Sequence, residues 1–524
     1  MLIGRRSRSV FAALACVALS ASAAVALPGD VDNGFGTNGR VITDIGRDIG
    51  LLDTVLRPDG KTIVLGWNVD SDGGSFVVAR YTPGGALDPT FTGGGYGIIE
   101  VPGSGFPVAI AMQGSKIVIL GQAVNSSVDR IAVLLRLTPS GGLDPSFGGG
   151  DGMVTRELPD GFLPAGLVVQ TGGAIVVAGN ADLPSPPDML AVRFQPDGAV
   201  DASFGTGGVA TVGVPGQADE ATSVALQPDG RIVVGGTTSD TSLDFIAGRL
   251  LPGGDPDGSF GSSGVAIAQF ASDEDDAPRA VTVQPNGKIV LAGYYEAAPA
   301  DHEVAVARFN ANGTLDNNFA GDGKFSLDIK DGYNDSAYDV VSHTGGTILV
   351  AGRAPQPPSN EDGILLRLTP GGVLDGNFSS DGKIVENWDP DHANYRSIAV
   401  RRDGSVVVGA DLGTDGGPLY FGLARYRDRG ASAVSLDIAR TKSKVKASGE
   451  VVPDSKSGQK VKVTLFKQKS GRWKRVARKN LTLNAQSAYR TAFKRPAAKR
   501  CRVDAAYGGD ALHRPSKRTK KFAC

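Results

Sequence analysis

Histidine, cysteine, tryptophan and methionine are scarce in this 524-residue chain, at 4, 3, 3 and 4 residues. There is no Gly-x-Ser-x-Gly elbow, His-Glu-x-x-His helix, phosphate-binding glycine loop or dinucleotide fingerprint, so the commonest hydrolytic and nucleotide-dependent chemistries lack a motif. No Cys-x-x-Cys or Cys/His spacing suits a zinc site. Beyond residue 26 no run of 18 apolar residues occurs, so no later segment reads as a membrane-spanning helix. A Gly-X-Y period is also missing, which excludes collagen, although Gly (73) and Pro (30) make up about a fifth of the chain. That content is too high for a helix-rich enzyme. No cofactor is implied.

Residues 1–26 read as a secretory signal. Arg5, Arg6 and Arg8 form its basic start, Val10–Leu19 its apolar stretch, and Ala24-Val25-Ala26 a small-x-small cleavage site. A lipid anchor on Cys16 is disfavoured, because too little apolar sequence precedes it. Removal of the signal leaves Cys501 and Cys524, an even pair in an oxidising compartment, expected to form one disulfide. The mature protein is expected to be extracellular or held at the cell surface.

What the chain has in quantity is repetition. A Leu-Asp-x-x-Phe signature recurs at Leu87–Phe91, Leu143–Phe147, Leu315–Phe319 and Leu374–Phe378, and looser copies end at Phe35, Phe204 and Phe260. Successive phenylalanines are 56, 56, 57, 56, 59 and 59 residues apart. Each copy continues into a turn and a β-branched run, such as Asp59-Gly60-Lys61-Thr62-Ile63-Val64. Asp-Gly between apolar runs is a strong hairpin signal. One copy holds four short strands: a (Arg40–Thr43 in the first), b (Leu51–Leu56), c (Thr62–Gly66) and d (Phe76–Arg80). A lone four-stranded sheet cannot cover both its faces, whereas a ring of them can. The expected fold is therefore all-β: a seven-bladed β-propeller over residues 27–430, with a linear β solenoid as the alternative.

The Leu-Asp-x-x-Phe-Gly start, the Asp-Gly-Lys-Ile-Val-Val-x-Gly centre and the Ala-Arg ending resemble the bacterial delta-60 repeats over roughly residues 30–429. That resemblance implies propeller blades in an exported or surface protein, and no common activity. The first copy (Val31-Asp32-Asn33-Gly34-Phe35) and the fifth (Pro256-Asp257-Gly258-Ser259-Phe260) depart from the pattern.

An Arg closes each copy, eight residues before the Asp of the next: Arg80 and Asp88, Arg136 and Asp144, Arg193 and Asp201, Arg249 and Asp257, Arg308 and Asp316, Arg367 and Asp375. These charges read either as a ring of ligands or, preferably, as structural pairs, since an Arg fork fits a carboxylate. Arg425 and Asp32 are left over and are expected to meet if the ring closes. The b–c and d–a turns repeat almost verbatim, whereas length and composition drift in the a–b and c–d loops. Those loops are acidic, with Asp273–Asp276, Asp301-His302-Glu303, Glu361-Asp362, Asp389, Asp391, Asp70 and Asp72. They define a variable face where binding is expected. Trp67, Trp388, His392, Tyr395 and His302 are its candidate ligand-binding residues, each with packing as the plainer alternative. Asp70 and Asp72 give a weak calcium motif without the downstream carboxylate.

Periodicity changes after Gly430. Residues 431–524 give about seven short alternating strands, which suits a small β-sandwich. Tyr507-Gly508-Gly509-Asp510 and the terminal Lys-Phe-Ala-Cys resemble bacterial immunoglobulin-like modules. A Cys501–Cys524 bridge would stabilise such a module by ~3 kcal/mol, and Trp473 reads as core or edge packing. The net charge of −1 conceals two opposed domains: residues 27–430 hold 26 Lys+Arg and 50 Asp+Glu, and residues 431–524 hold 25 and 5. The basic module is expected to meet an anionic cell-wall polymer or polysaccharide; no reader motif points to specific nucleic-acid binding. The expected function is a surface binding or scaffold protein. A propeller lyase or hydrolase acting at the loop face, and a purely structural envelope component, are the alternatives.

Overall fold

The computed structural model describes residues 28–523 apart from positions 71–72, 125–129, 157–161, 182–187, 240–241, 272–273, 300, 357–359, 389–391, 402, 414–416, 428–432, 435, 441–442, 453–459, 471, 484–487, 499 and 508–515. The signal segment, Cys16, Asp72, Asp273, Asp389, Asp391 and Cys524 thus lie outside the described residues. The chain divides into two compact units, one built on Leu27–Gly430 and one on Ala431–Gly508 with Pro515–Cys524. Both are all-β. No α-helix occurs among the described residues, and a 3-10 turn at Thr344–Gly346 is the sole helical element there.

In the first unit, short apolar runs alternate with turn chemistry. Asp59 accepts the Lys61 N–H and Gly60 takes the φ of +84° that the hairpin requires, so Ile49–Leu56 reverses into Thr62–Asp70. Gly73–Tyr81 and Tyr96–Ile99 complete an antiparallel four-stranded sheet. Four more such sheets begin at Ser104, Leu163, Ala218 and Asp276. An eight-stranded sheet holds two further sets, beginning at Ser336 and His392 and joined at one parallel bridge between Glu361 and His392. Neighbouring sheets cover each other: Ile63, Leu65 and Val78 of one pack with Ile117, Ile119 and Val133 of the next. The leading strands Ile49–Leu56, Ser104–Gln113, Leu163–Val169, Ala218–Leu226, Asp276–Val283, Ser336–Ser342 and His392–Val400 touch in that order, and the last touches the first.

Sequence copy and folded sheet are offset by one strand. Strand a of each copy pairs with strand d of the copy before it, so Tyr96–Ile99 lies along Gly73–Tyr81. The connection dictates this. The Asp88 N–H donates to Arg80 O and the Arg80 N–H to Gly95 O, each at 2.8 Å, folding the Leu-Asp-x-x-Phe segment back along strand d. The first strand a, Arg40–Thr43, has no predecessor and pairs instead with Leu419–Tyr426, with Arg40 opposite Ala424.

The Arg and Asp series forms the joints between sheets. Guanidinium and carboxylate lie between 2.6 and 3.0 Å apart in all seven pairs, including Arg425 with Asp32. Each guanidinium carbon also sits 4.4 to 4.8 Å above the ring of a wholly buried Phe from the same motif. The forks of Arg80, Arg136, Arg193, Arg249 and Arg425 also reach onward to a backbone carbonyl of the next set, as from Arg193 to Pro252 O at 2.6 Å and from Arg425 to Pro83 O at 2.7 Å. One side chain thus serves a carboxylate, a ring and a neighbouring sheet.

A second cation completes some joints. Lys61, Lys116, Arg231 and Lys288, all at one position of the b–c hairpin, bond Asp88, Asp144, Asp257 and Asp316. Ala174, Thr347 and Ser405 hold that position elsewhere, and Asp201, Asp375 and Asp32 are correspondingly more exposed. Burial opposes the Asp88 carboxylate, but bonds from Lys61 and Thr90 and the Arg80 charge outweigh it and hold its pKa well below the usual range.

The second unit is two antiparallel sheets over one core. Lys444–Val452 pairs with Ala433–Val434, Asp437–Arg440 and Ala488–Lys494; the other sheet runs Arg472–Thr482, Lys460–Lys469, Arg500–Tyr507, Ser516–Ala523. Val445, Ala447, Tyr489 and Phe493 from the first sheet meet Val461, Val463, Leu465, Cys501 and Val503 from the second.

Removing a carboxylate strands its buried guanidinium. Asp144→Ala, which leaves two cations unpaired, should cost about 3 kcal/mol, and Asp201→Ala roughly half of that. Urea denaturation of the two variants measures the difference.

Candidate functional site

The loop end of the first unit does not display the aromatics expected there. Trp388 and Tyr395 are 2% and 0% exposed. Their polar tips explain it: Trp388 Nε1 and the Tyr395 hydroxyl donate to Glu386 Oε1 at 3.1 and 2.8 Å, the Tyr426 hydroxyl donates to the same oxygen, and Arg40 binds Oε2 at 2.6 Å. Glu386 thereby ties the last two sets and the closing strand into a buried latch, and burial pushes both tyrosine hydroxyls well above their usual range. Trp67 is half-buried and lies flat on Gly50, where a Cβ would meet the indole at 2.3 Å. No ring contact joins Trp67 to Trp388. His392 sits half-buried at the parallel bridge. The placement of Asp70's side chain and of Asp72 lies outside the described residues, among which no cluster of three or more His, Cys, Asp or Glu could hold a metal.

The acidic loops are not simply surface charge. Asp276 is wholly buried, accepting the Phe270 N–H at 2.6 Å, and Asp335 likewise accepts from Ile329 and Lys330 at 2.5 and 2.9 Å. Asp219 does the same for Val214 in the set before. These carboxylates fasten the a–b loops, which is why they recur without being displayed. Burial pushes Asp276 up to about 7, with the Asp244 charge adding to it, and burial pushes Asp335 to about 7, reinforced by Asp328 and Asp301. Asp339, which links leading strands by accepting the Ile398 N–H at 2.8 Å, is also raised to about 7 by burial and by the charge of Asp53.

A feature missing from the sequence expectations lies one tier inward. Every leading strand carries a β-bulge at the same place, with one residue unpaired. Bulges re-aim side chains. In the first three sets that residue is Leu52, Val108 or Ala165, and in the fourth Thr222; in the last three it is Arg279, Tyr338 and Arg396. The latter three interlock. Arg279 lies 5.0 Å and Arg396 4.5 Å from the Tyr338 ring centre, and Arg279 is also 5.3 Å from Tyr294. His302 stacks on Tyr294 at 4.2 Å and 15°. Burial depresses the His302 pKa, against the pull of Glu296. Arg396 is bonded to Asp411 at 2.7 Å and Arg353 to Glu361, whereas Arg279 is exposed and makes no ion pair among the described residues. Of the predicted site residues only His302 joins this ladder. A column-by-column reading of the repeats at the start of strand b would have exposed the change from aliphatic to cationic and aromatic side chains.

The second unit offers a different surface. The sheet led by Arg472–Thr482 carries Arg502 stacked on Phe466 at 4.2 Å and on Trp473 at 5.3 Å, with Arg475 and Lys521 in the flanking register positions. Asp504 is the sole acidic residue of these strands, and it is engaged by Arg502 and Lys517, each at 3.1 Å. Cys501 is wholly buried, and Phe522 lies opposite it.

A family model described as a domain of unknown function (DUF5122) β-propeller matches residues 57–91, 173–204, 227–260 and 284–319. Four matches spaced by one or two repeat periods support a β-propeller repeat family, and the fold is a β-propeller. No curated protein matches the chain. Among solved structures it is similar to Sqt1 from Chaetomium thermophilum (11% identity, TM-score 0.39, covering 74% of this chain and 100% of that one). It is also similar to a subtype N11 neuraminidase-like protein of a flat-faced bat influenza A virus (10%, 0.35, 76% and 97%). A third is a puromycin-hydrolysing peptidase of Mycobacterium tuberculosis (11%, 0.40, 77% and 58%). No helix among the described residues is long and apolar enough to cross a membrane.

The raised carboxylates carry a pH signature. Their folded pKa of about 7 exceeds the unfolded value of 3.8, so the folded state holds protons that the unfolded chain has released, and stability falls as pH rises between these values. The melting temperature should therefore drop from about pH 5 to about pH 7.5, and the slope should flatten in Asp276→Asn/Asp335→Asn, where the amide keeps an acceptor oxygen.

Proposed function

We propose that this is an exported binding protein: a seven-bladed propeller of the delta-60 type that offers its loop end to a ligand, joined to a basic immunoglobulin-like sandwich that attaches to an anionic polymer. In this reading residues 1–26 are removed as a signal, residues 27–430 form the ring, and residues 431–524 form the attaching module. The closed circuit of leading strands and the pairing of Arg40–Thr43 with Leu419–Tyr426 support the seven-bladed count. A Cys501–Cys524 bridge belongs to the same reading, supported by the burial of Cys501 opposite Phe522, two residues before Cys524.

The observation that carries attachment is the charge of one sheet. Its strands hold a single acidic residue, Asp504, already engaged by Arg502 and Lys517, against many Arg and Lys. The Arg502 guanidinium rests on Phe466 and Trp473 and spends one edge on Asp504, while Arg475, Arg478 and Lys521 are exposed and suit sulfate, phosphate or carboxylate groups. An acidic cell-wall polymer or polysaccharide fits both the charge and the flat, repeated spacing of a β-sheet.

Such binding is screened by salt. The full-length protein should be retained on a dextran sulfate resin and elute with rising salt. Arg475→Glu/Arg478→Glu should elute at markedly lower salt; elution unchanged from the parent would remove the basis for attachment.

A further inference from the structure

The acidic composition of the variable loops suggests a cationic ligand, yet the tier beneath them is cationic on one side of the ring. We propose that the Arg279–Tyr338–Arg396 ladder is a binding site for a carboxylate-bearing sugar. This rests on the reading of the loop end as a ligand-presenting surface, and it adds the class of ligand.

Preorganisation comes first. Arg279 lies between the rings of Tyr294 and Tyr338, at 5.3 and 5.0 Å, and His302 backs Tyr294 at 4.2 Å. Stacking uses the faces of a guanidinium and leaves its five N–H donors, which lie in the plane, unspent. A side chain that ordinarily loses rotamer freedom on binding is thus partly ordered beforehand, which lowers the entropic cost of capturing a ligand. The origin of this placement is the bulge, which frees position 279 from the regular alternation of the strand.

Charge then selects the ligand. Arg396 is matched by Asp411 and Arg353 by Glu361, so among the described residues Arg279 is the cation of the ladder without an ion pair. One planar fork with one unmatched charge suits one carboxylate in bidentate contact. A phosphate dianion would meet Glu361 and Asp411 with a charge too many. Beside the carboxylates Asp275 and Glu296, which act on Tyr294, the surroundings include neutral hydrogen-bonding groups: the phenols of Tyr294 and Tyr338, His302 with its lowered pKa, and the Asn394 amide, which already bonds Glu361. Hydroxyl groups are their natural partners. Together these features describe a polyhydroxylated monocarboxylate, a uronic-acid-type sugar, and leave the aliphatic positions Leu52, Val108 and Ala165 across the ring to the uncharged part of a longer chain.

The test uses the full-length protein and titration calorimetry with methyl β-D-glucuronide, its neutral counterpart methyl β-D-glucoside, and inorganic phosphate. The glucuronide should bind, the glucoside and phosphate should not, and Arg279→Ala should weaken glucuronide binding by about tenfold or more, with Arg279→Lys failing to restore it. Arg279 is exposed, so both variants should melt as the parent does. The variant Arg475→Glu/Arg478→Glu separates the two readings: glucuronide binding should survive there while resin retention falls. Equal binding of the glucoside, preference for phosphate, absence of glucuronide binding, or indifference to Arg279→Ala would each overturn the assignment, and resin retention would stand or fall separately.

Discussion

A guanidinium stacked on a buried phenyl ring, bonded to a carboxylate eight residues further on and reaching a carbonyl of the adjacent sheet, is the contact on which the first unit depends. The ring contact and the ion pair recur seven times with nearly constant geometry, six of them across the eight-residue interval. A charged group at such depth is tolerable because its face rests on Phe and its fork is bonded to Asp, with a backbone carbonyl added at Arg80, Arg136, Arg193, Arg249 and Arg425. Four of the joints add a Lys or Arg from the hairpin, and their carboxylates are then the least exposed. The same contact made by Arg425 uses Asp32, from the other end of the unit. Closure therefore needs no new chemistry; it reuses the joint that links every other pair of sheets.

Much of this was legible in the sequence, because repetition multiplies a weak signal. The spacing of the phenylalanines, the eight-residue interval from Arg to Asp, and the Asp-Gly turns located the strands to within a few residues. What repetition could not reveal is which neighbour a strand joins, since a copy reads the same whichever of its ends is taken as the boundary. The hydrogen bonds that fold Asp88 back on Arg80 decide that question. Trp388 and Tyr395 were misplaced on an open face for a related reason. Nothing near them in sequence announces that Glu386 will gather their polar tips, because Tyr426 and Arg40 come from remote segments. The ladder was missed since Arg279, Tyr338 and Arg396 match no motif; only their shared place in the bulge unites them.

The two units then divide the charge in different ways. In the first, many carboxylates are consumed by structure, either in joints or in buried loop fasteners such as Asp276 and Asp335. Its acidic total consequently overstates the acid offered to solvent, and at the bulge tier the local sign reverses. In the second, cations outnumber carboxylates so heavily that a single Asp504 cannot balance its sheet. In the proposed reading a near-neutral chain thus holds two cationic places for anions, one small and one broad.

The central claim is that one joint builds the ring and also closes it. A double-mutant cycle on Asp32→Ala and Arg425→Ala, measured by urea denaturation alongside the same cycle on Asp144→Ala and Arg136→Ala, tests it directly. The account predicts a coupling of about 1–3 kcal/mol in both cycles. Coupling at Arg136 and Asp144 but additivity at Arg425 and Asp32 would contradict closure through this joint.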